Sequence, residues 1–128
     1  FVKEHNINNV VFTGLLSKEN ALQEMAKLDY LILPSKSENF GMVIPEALSM
    51  GIPCIATSGT PWEELNTKNC GWWIDSSKDS IAKAIEYAIT TSTENYKLMA
   101  NNAINLVKER YSIDKTVEEL IKLYKRLV

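Results

Sequence analysis

Tyr30-Leu-Ile-Leu33-Pro34-Ser35-Lys-Ser-Glu38-Asn-Phe40-Gly41-Met-Val-Ile-Pro45-Glu46-Ala-Leu-Ser-Met-Gly51-Ile52-Pro-Cys-Ile-Ala56 changes its pattern twice, from an apolar run to a helical spacing and back. Tyr30–Leu33 is a short apolar run closed by Pro34 and Ser35, the pattern of a buried strand. Pro45 lacks an amide hydrogen and inside a helix would clash with the carbonyl four residues earlier. It fits only in a first turn, so the helix begins near Met42 and runs to about Met50, where Gly51 stops it. Ile52–Ala56 is the next buried strand. Two such strands joined through a helix run parallel.

The alternation continues on both sides. Upstream, Asn9–Thr13 (NVVFT) is β-branched and ends at Gly14, which predicts another strand. Ser17 then caps a helix whose apolar stripe is Ala21, Leu22, Met25 and Leu28, with Asn20 where a capping box prefers Glu. Downstream, Thr60-Pro61-Trp62-Glu63 predicts a short helix with Thr60 as its cap, and Cys70–Ile74 a fourth strand. From Ser80 onward the spacing is helical only. Ile81, Ala84, Ile85, Ala88 and Ile89 mark one face, and Tyr96, Met99, Ala100, Ala103, Ile104 and Val107 a second. Val117, Leu120, Ile121, Tyr124 and Leu127 mark a third. Apolar strands separated by helices predict an α/β fold: a Rossmann-like, doubly wound parallel sheet closing with consecutive helices. Such sheets bind ligands beyond the carboxyl ends of their strands. Here those loops are Gly14–Ser17, Ser35–Phe40, Thr57–Thr60 and Asp75–Lys78.

Bulk properties narrow the function classes. The 128 residues suit a single domain, read as residues 1–128 of a longer protein because the chain opens at Phe1 rather than Met. Fourteen basic against sixteen acidic residues leave a charge of -2, without the basic surplus of a nucleic-acid binder. No apolar run approaches the ~18 residues of a membrane span. Cys54 and Cys70 each lie in an apolar run, which reads as buried free thiols. With His5 the only histidine, no cluster suggests a structural zinc site.

Chemistry concentrates between Glu38 and Glu46. A helix that starts near Met42 leaves the amides of roughly Gly41 to Ile44 without intrahelical partners. Gly41 lets a ligand approach the backbone closely. Exposed amides beyond the carboxyl end of a strand suit a phosphate or diphosphate. Glu46, one turn on, suits two vicinal hydroxyls such as those of a ribose, and Glu38 suits a group beyond the phosphate. A plain helix start with Gly before it and Glu in its first turn fits the same residues, so on these grounds both readings stand.

Glu38 and Glu46, separated by seven residues within SENFGMVIPEALSMGIPCIATS, resemble the E-x7-E motif of retaining two-domain GT-B glycosyltransferases of the group 1, family 4 type. The resemblance extends through NVVFTGLLSKEN, LDYLILPS, GIPCIATSGTPWEEL, NCGWWID and RYSIDKTVEELIKLYKRL, nearly the whole chain. It implies the donor-binding half of such an enzyme, working with an N-terminal acceptor-binding domain. Glu38 would then lie at the donor sugar and reacting centre, and Glu46 on the nucleotide ribose. The Phe40, Gly41, Met42 and Val43 amides would touch sugar and diphosphate, and the turn Gly14, Leu15 and Leu16 would lie near the base. The reaction implied is hexosyl transfer with retention from a nucleoside diphosphate sugar to a saccharide or lipid-linked acceptor, in bacterial polysaccharide or lipopolysaccharide synthesis. The family implies no cofactor and no metal, consistent with the absence of a DxD pair at Asp29 or Asp75. It implies a cytoplasmic protein, with room for peripheral attachment to the inner face of the membrane through the N-terminal domain. The Arg and Lys that neutralise the diphosphate in relatives precede the matching region.

One departure is Ser58-Gly59-Thr60, where relatives often carry a Gly-Gly pair, so contacts from this loop to the sugar are not carried over. Trp72 and Trp73 are neighbours in a strand and must face opposite sides, which argues for core rather than sugar stacking. Two rival functions remain at this level: an epimerase resembling the UDP-GlcNAc 2-epimerases, and a non-catalytic nucleotide-sugar-binding or scaffold module.

Overall fold

Pro34 and Gly51 bracket the central unit as their chemistry requires. In the computed structural model, which describes residues 2–112 and residue 122, β1 (Leu31–Leu33) ends directly before Pro34. α2 (Val43–Ser49) places Pro45 in its first turn. Gly51, at φ 75°, ends that helix in a Schellman arrangement: its amide donates to Leu48 O at 3.0 Å and that of Ile52 to Ala47 O at 3.1 Å. The chain then enters β2 (Cys54–Thr57), crosses the short α3 (Glu64–Thr67) and forms β3 (Gly71–Ile74).

The three strands form one parallel sheet in the order β1-β2-β3, with Leu31 opposite Cys54 and Ile55 opposite Trp72. β2 is buried on both faces, and its side chains alternate between two cores. Cys54 and Ala56 face Ile44, Ala47 and Leu48 of α2, Leu65 of α3, and Ala103 and Leu106 of α5 (Thr93–Leu106). Ile55 faces Ala84 and Ala88 of α4 (Lys78–Thr90), with Tyr30, Trp72 and Ile74 beside them. Trp73 packs on the first core and Trp72 on the second, the division expected for neighbours in a strand. The doubly covered parallel α/β sheet is therefore present.

Local capping follows the sequence. Ser17, Ser77 and Ser92 accept from the amides of Asn20, Ser80 and Asn95, so α1 (Lys18–Met25), α4 and α5 each start on a serine worth about 1 kcal/mol. α5 passes into a π-helical turn, Val107–Tyr111. The expected final helix on Val117, Leu120, Ile121, Tyr124 and Leu127 lies outside the described residues.

Three expectations are corrected. Asn9–Thr13 forms no strand, and Val11 and Phe12 are 85% and 78% exposed. A strand needs a ladder neighbour and a surface to cover; among the described residues none pairs with this segment, and β1 pairs only with β2. Thr60 does not cap α3, because that helix starts only at Glu64 with Glu63 in the cap position; its buried hydroxyl donates to Thr57 O at 2.8 Å instead. The apolar stripe of α4 is only partly covered: Ala84 and Ala88 are buried, whereas Ile89 is 73% exposed.

Candidate functional site

The segment from Ser35 to Glu46 leaves the carboxyl end of β1 and is fastened to the loop that leaves β2. The hydroxyl of Thr57 donates to Ser35 O, the amide of Glu38 donates to Gly59 O at 2.8 Å, and the indole N–H of Trp62 donates to Phe40 O. These bonds join two loops at the same end of the sheet, where a parallel α/β domain places its ligand. Gly59 permits the approach: a Cβ there would lie 2.4 Å from Lys36 O and 2.5 Å from Ser35 O. The loop that differs from the resembled family is thus a support for the one before it.

Gly41 makes the turn into α2. Its φ of 73° is a left-handed conformation that side chains resist, and a Cβ would meet Leu33 Cδ2 at 3.0 Å and Glu38 Cγ at 3.3 Å. The carbonyl of Gly41 accepts from Ile44 N at 2.9 Å and that of Met42 from Glu46 N at 3.3 Å. Among the described residues, the amides of Gly41, Met42 and Val43 have no acceptor, and no side chain caps α2. The side chains of Glu38, exposed, and Glu46, half-buried, likewise have no hydrogen-bond partner among the described residues. Gly41 is itself buried, while Met42 is exposed and Val43 half-buried; unpaired amides at this turn can receive an anion, and the carboxylates beside them can accept from hydroxyl groups.

Glu38, Phe40, Gly41, Met42, Val43 and Glu46 are therefore gathered in one continuous segment. Phe40 is half-buried and Met42 exposed, and neither side chain carries a hydrogen-bonding group for a ligand. Gly14, Leu15 and Leu16 stand apart. Gly14 is left-handed at φ 67°, Leu15 is fully exposed, and no hydrogen bond or ring contact joins this turn to the Glu38–Glu46 segment among the described residues. Leu16 lines an open depression of about 500 Å³ with Val11, Thr13, Ala21, Met25 and Leu28.

Of the tryptophans, Trp72 and Trp73 are half-buried against the two cores. Trp62 is wholly buried, and Trp73 donates its indole N–H to Thr60 O at 2.9 Å. Cys54 and Cys70 are free and buried; burial first, then the neighbouring Glu64, pushes the Cys70 thiol up to about 11. Neither is poised as a nucleophile. Asp29 and Asp75 have local roles, the carbonyl of the first accepting from Tyr96 and the carboxylate of the second from Ser77 N. Among the described residues no three His, Cys, Asp or Glu side chains gather to hold a metal ion. None of the described helices is long and apolar enough to cross a membrane.

Comparison with known proteins places this chain in a family. The chain is 29% identical over 120 residues to an uncharacterised glycosyltransferase of Methanocaldococcus jannaschii, covering 92% of this chain and 30% of that protein. It is 26% identical over 122 residues to N-acetyl-alpha-D-glucosaminyl L-malate synthase of Bacillus anthracis, covering 94% and 31%. An O-antigen biosynthesis glycosyltransferase of Escherichia coli matches at 27% over 97 residues, 68% of this chain and 27% of the relative. The chain thus spans about a third of the length of these relatives. Sucrose-phosphate synthase from Thermosynechococcus elongatus has the same fold, with a TM-score of 0.83 and 22% identity over 98% of this chain and 32% of the other. The family model for glycosyl transferases group 1 matches residues 1–106, and the chain belongs to that family.

Proposed function

We propose that the chain is the donor-binding domain of a retaining glycosyltransferase of the family 4 type, which transfers a hexosyl group from a nucleoside diphosphate sugar. The observation that carries this reading is the run of amides, Gly41 to Val43, between the carboxylates of Glu38 and Glu46 at the carboxyl end of β1, none of which has a hydrogen-bond partner among the described residues. In this reading the amides hold the diphosphate and stabilise the negative charge it gains as it departs. Glu46 accepts from the ribose hydroxyls, and Glu38 orients the sugar at the reacting centre. The turn at Gly14–Leu16 serves the base. The diphosphate is held by protein groups, with no metal or cofactor.

A partner domain outside this chain supplies the acceptor side of the cleft and the basic pair that completes diphosphate neutralisation. The acceptor is a saccharide or lipid-linked saccharide, a reading supported by the relative named for O-antigen biosynthesis. The protein works in the cytoplasm, and any attachment to the membrane is made through the partner domain.

Calorimetric titration with UDP, GDP and ADP, repeated on Glu46→Ala, tests the reading. Binding of one nucleotide that is lost in the variant is the expected result. Equal affinity in wild type and variant would remove the ribose assignment. Absence of binding both here and in the two-domain protein would favour a scaffold.

A further inference from the structure

Phe40, Trp62 and Tyr111 form a closed triangle of rings. Their centroids lie 5.1 Å apart for Phe40–Trp62, 5.1 Å for Trp62–Tyr111 and 5.8 Å for Phe40–Tyr111, all tilted. The rings come from three separate places: the loop after β1, the turn before α3 and the π-helical turn that closes α5. Polar bonds lock two corners. The Trp62 indole N–H donates to the carbonyl of Phe40, and the Tyr111 hydroxyl donates to Glu64, whose other oxygen takes Arg110.

Phe40 directly precedes Gly41, so both the ring and the carbonyl on the upstream side of the free amides are held by this triangle. Gly41 alone, with no Cβ, would leave the direction of those amides loosely set. A π turn is rare, and where one occurs within an α-helix it is frequently at a functional site. Here it ends at Tyr111, whose ring lies against Trp62 and Phe40 while the hydroxyl reaches Glu64.

We infer that Tyr111 and Trp62 are positioning residues, which set the orientation of the Gly41–Val43 amides and thereby the affinity for a diphosphate. The diphosphate part rests on the function proposed above; the orientation part does not. The chemistry is mechanical: the Glu64 carboxylate anchors the Tyr111 hydroxyl, Tyr111 and Trp62 clamp Phe40, and Phe40 fixes the start of the turn.

Backbone ¹⁵N relaxation on the ligand-free chain tests the orientation, and nucleotide titration tests its consequence. Wild-type amides at Gly41–Val43 should show order parameters of about 0.85, falling toward about 0.6 in Tyr111→Phe. The same variant should bind nucleoside diphosphate about fivefold more weakly, with affinity for the nucleoside lacking phosphates unchanged. Glu64→Gln keeps an acceptor for the hydroxyl and should stay near wild type, whereas Glu64→Leu should reproduce Tyr111→Phe. If Tyr111→Phe does not fold, Trp62→Phe and the Glu64 pair carry the same comparison.

Unchanged order parameters in folded Tyr111→Phe, or equal loss of nucleoside and nucleoside diphosphate binding, would overturn the inference. A wild-type chain that binds no nucleotide, but whose amides still respond to Tyr111→Phe, would remove the proposed ligand and leave the coupling standing.

Discussion

The amide of Glu38 donates to the carbonyl of Gly59 at 2.8 Å, so the first acidic residue of the site is fixed through the loop that follows the neighbouring strand. The two loops work as one support. A change in either should be felt in the other.

Gly59→Ala is the most direct disturbance of that support. The added methyl would sit 2.4 Å from Lys36 O, against backbone that has little room to give. The variant should lose about 1–3 kcal/mol in urea unfolding. Ser58→Ala, at the exposed neighbouring position, should stay within about 0.5 kcal/mol of wild type.

Glu38→Ala separates catalysis from binding. In the two-domain protein, turnover should fall by about a hundredfold or more, with nucleotide affinity within about threefold of wild type. Initial rates and calorimetry on the same preparation check this. Parallel loss of rate and affinity would assign Glu38 to nucleotide binding instead.

The buried thiols make stability depend on alkaline pH. Burial, and then Glu64, raise Cys70 from 9.0 to about 11, and burial, then Cys70, raises Cys54 further. Above pH 9 the unfolded chain sheds thiol protons that the folded chain retains, so the unfolded state gains. The stability held by the protonated thiols is complete below pH 9 and is lost as pH rises through 11. Tyr111, raised from 10.0 to about 12 chiefly by burial and then by its bond to Glu64, extends the decline. Urea midpoints at pH 8, 9.5 and 10.5 should fall in wild type, and by less in Cys70→Ala relative to its own value at pH 8.

Phe12→Ser should reduce binding of a hydrophobic fluorescent dye without lowering the urea midpoint by more than about 0.5 kcal/mol. Phe12 is 78% exposed beside Val11 and Leu15, which are also exposed, so its ring contributes surface rather than packing. A clear loss of stability would show that the Asn9–Thr13 segment is packed in solution.

Much of this was legible locally. Pro45 fixed the start of α2, Gly51 its end and Ser17 the cap of α1, each through chemistry confined to a few residues. The Glu38–Glu46 spacing pointed to one continuous segment, whose two carboxylates have no hydrogen-bond partner among the described residues. Asn9–Thr13 failed because β-branched composition reports a preference for a ladder, not the presence of a neighbour to make it. Thr60 failed because α3 starts later than the Thr-Pro pattern suggests, at Glu64, which leaves the Thr60 oxygen out of place to accept from its first amides, and the hydroxyl donates to Thr57 O instead. The supports were invisible: Trp62 reaches Phe40 across 22 positions and Tyr111 reaches Glu64 across 47, beyond any periodic pattern. Tyr111 in particular gave no sign, since its placement depends on a π turn that spacing rules for an α-helix do not anticipate.

The division of Trp72 and Trp73 between two faces of β3 has an optical consequence. Trp62 and Trp73 sit with the core formed by α2, α3 and α5, whereas Trp72 lies 5.9 Å from Tyr30 on the side of α4. Each layer of the domain thus contains its own chromophore, separated from the other by a single sheet. Variants that keep only Trp62 or only Trp72 would emit from opposite sides of β2, and any difference in the temperature at which their emission shifts would measure how independently the two layers melt.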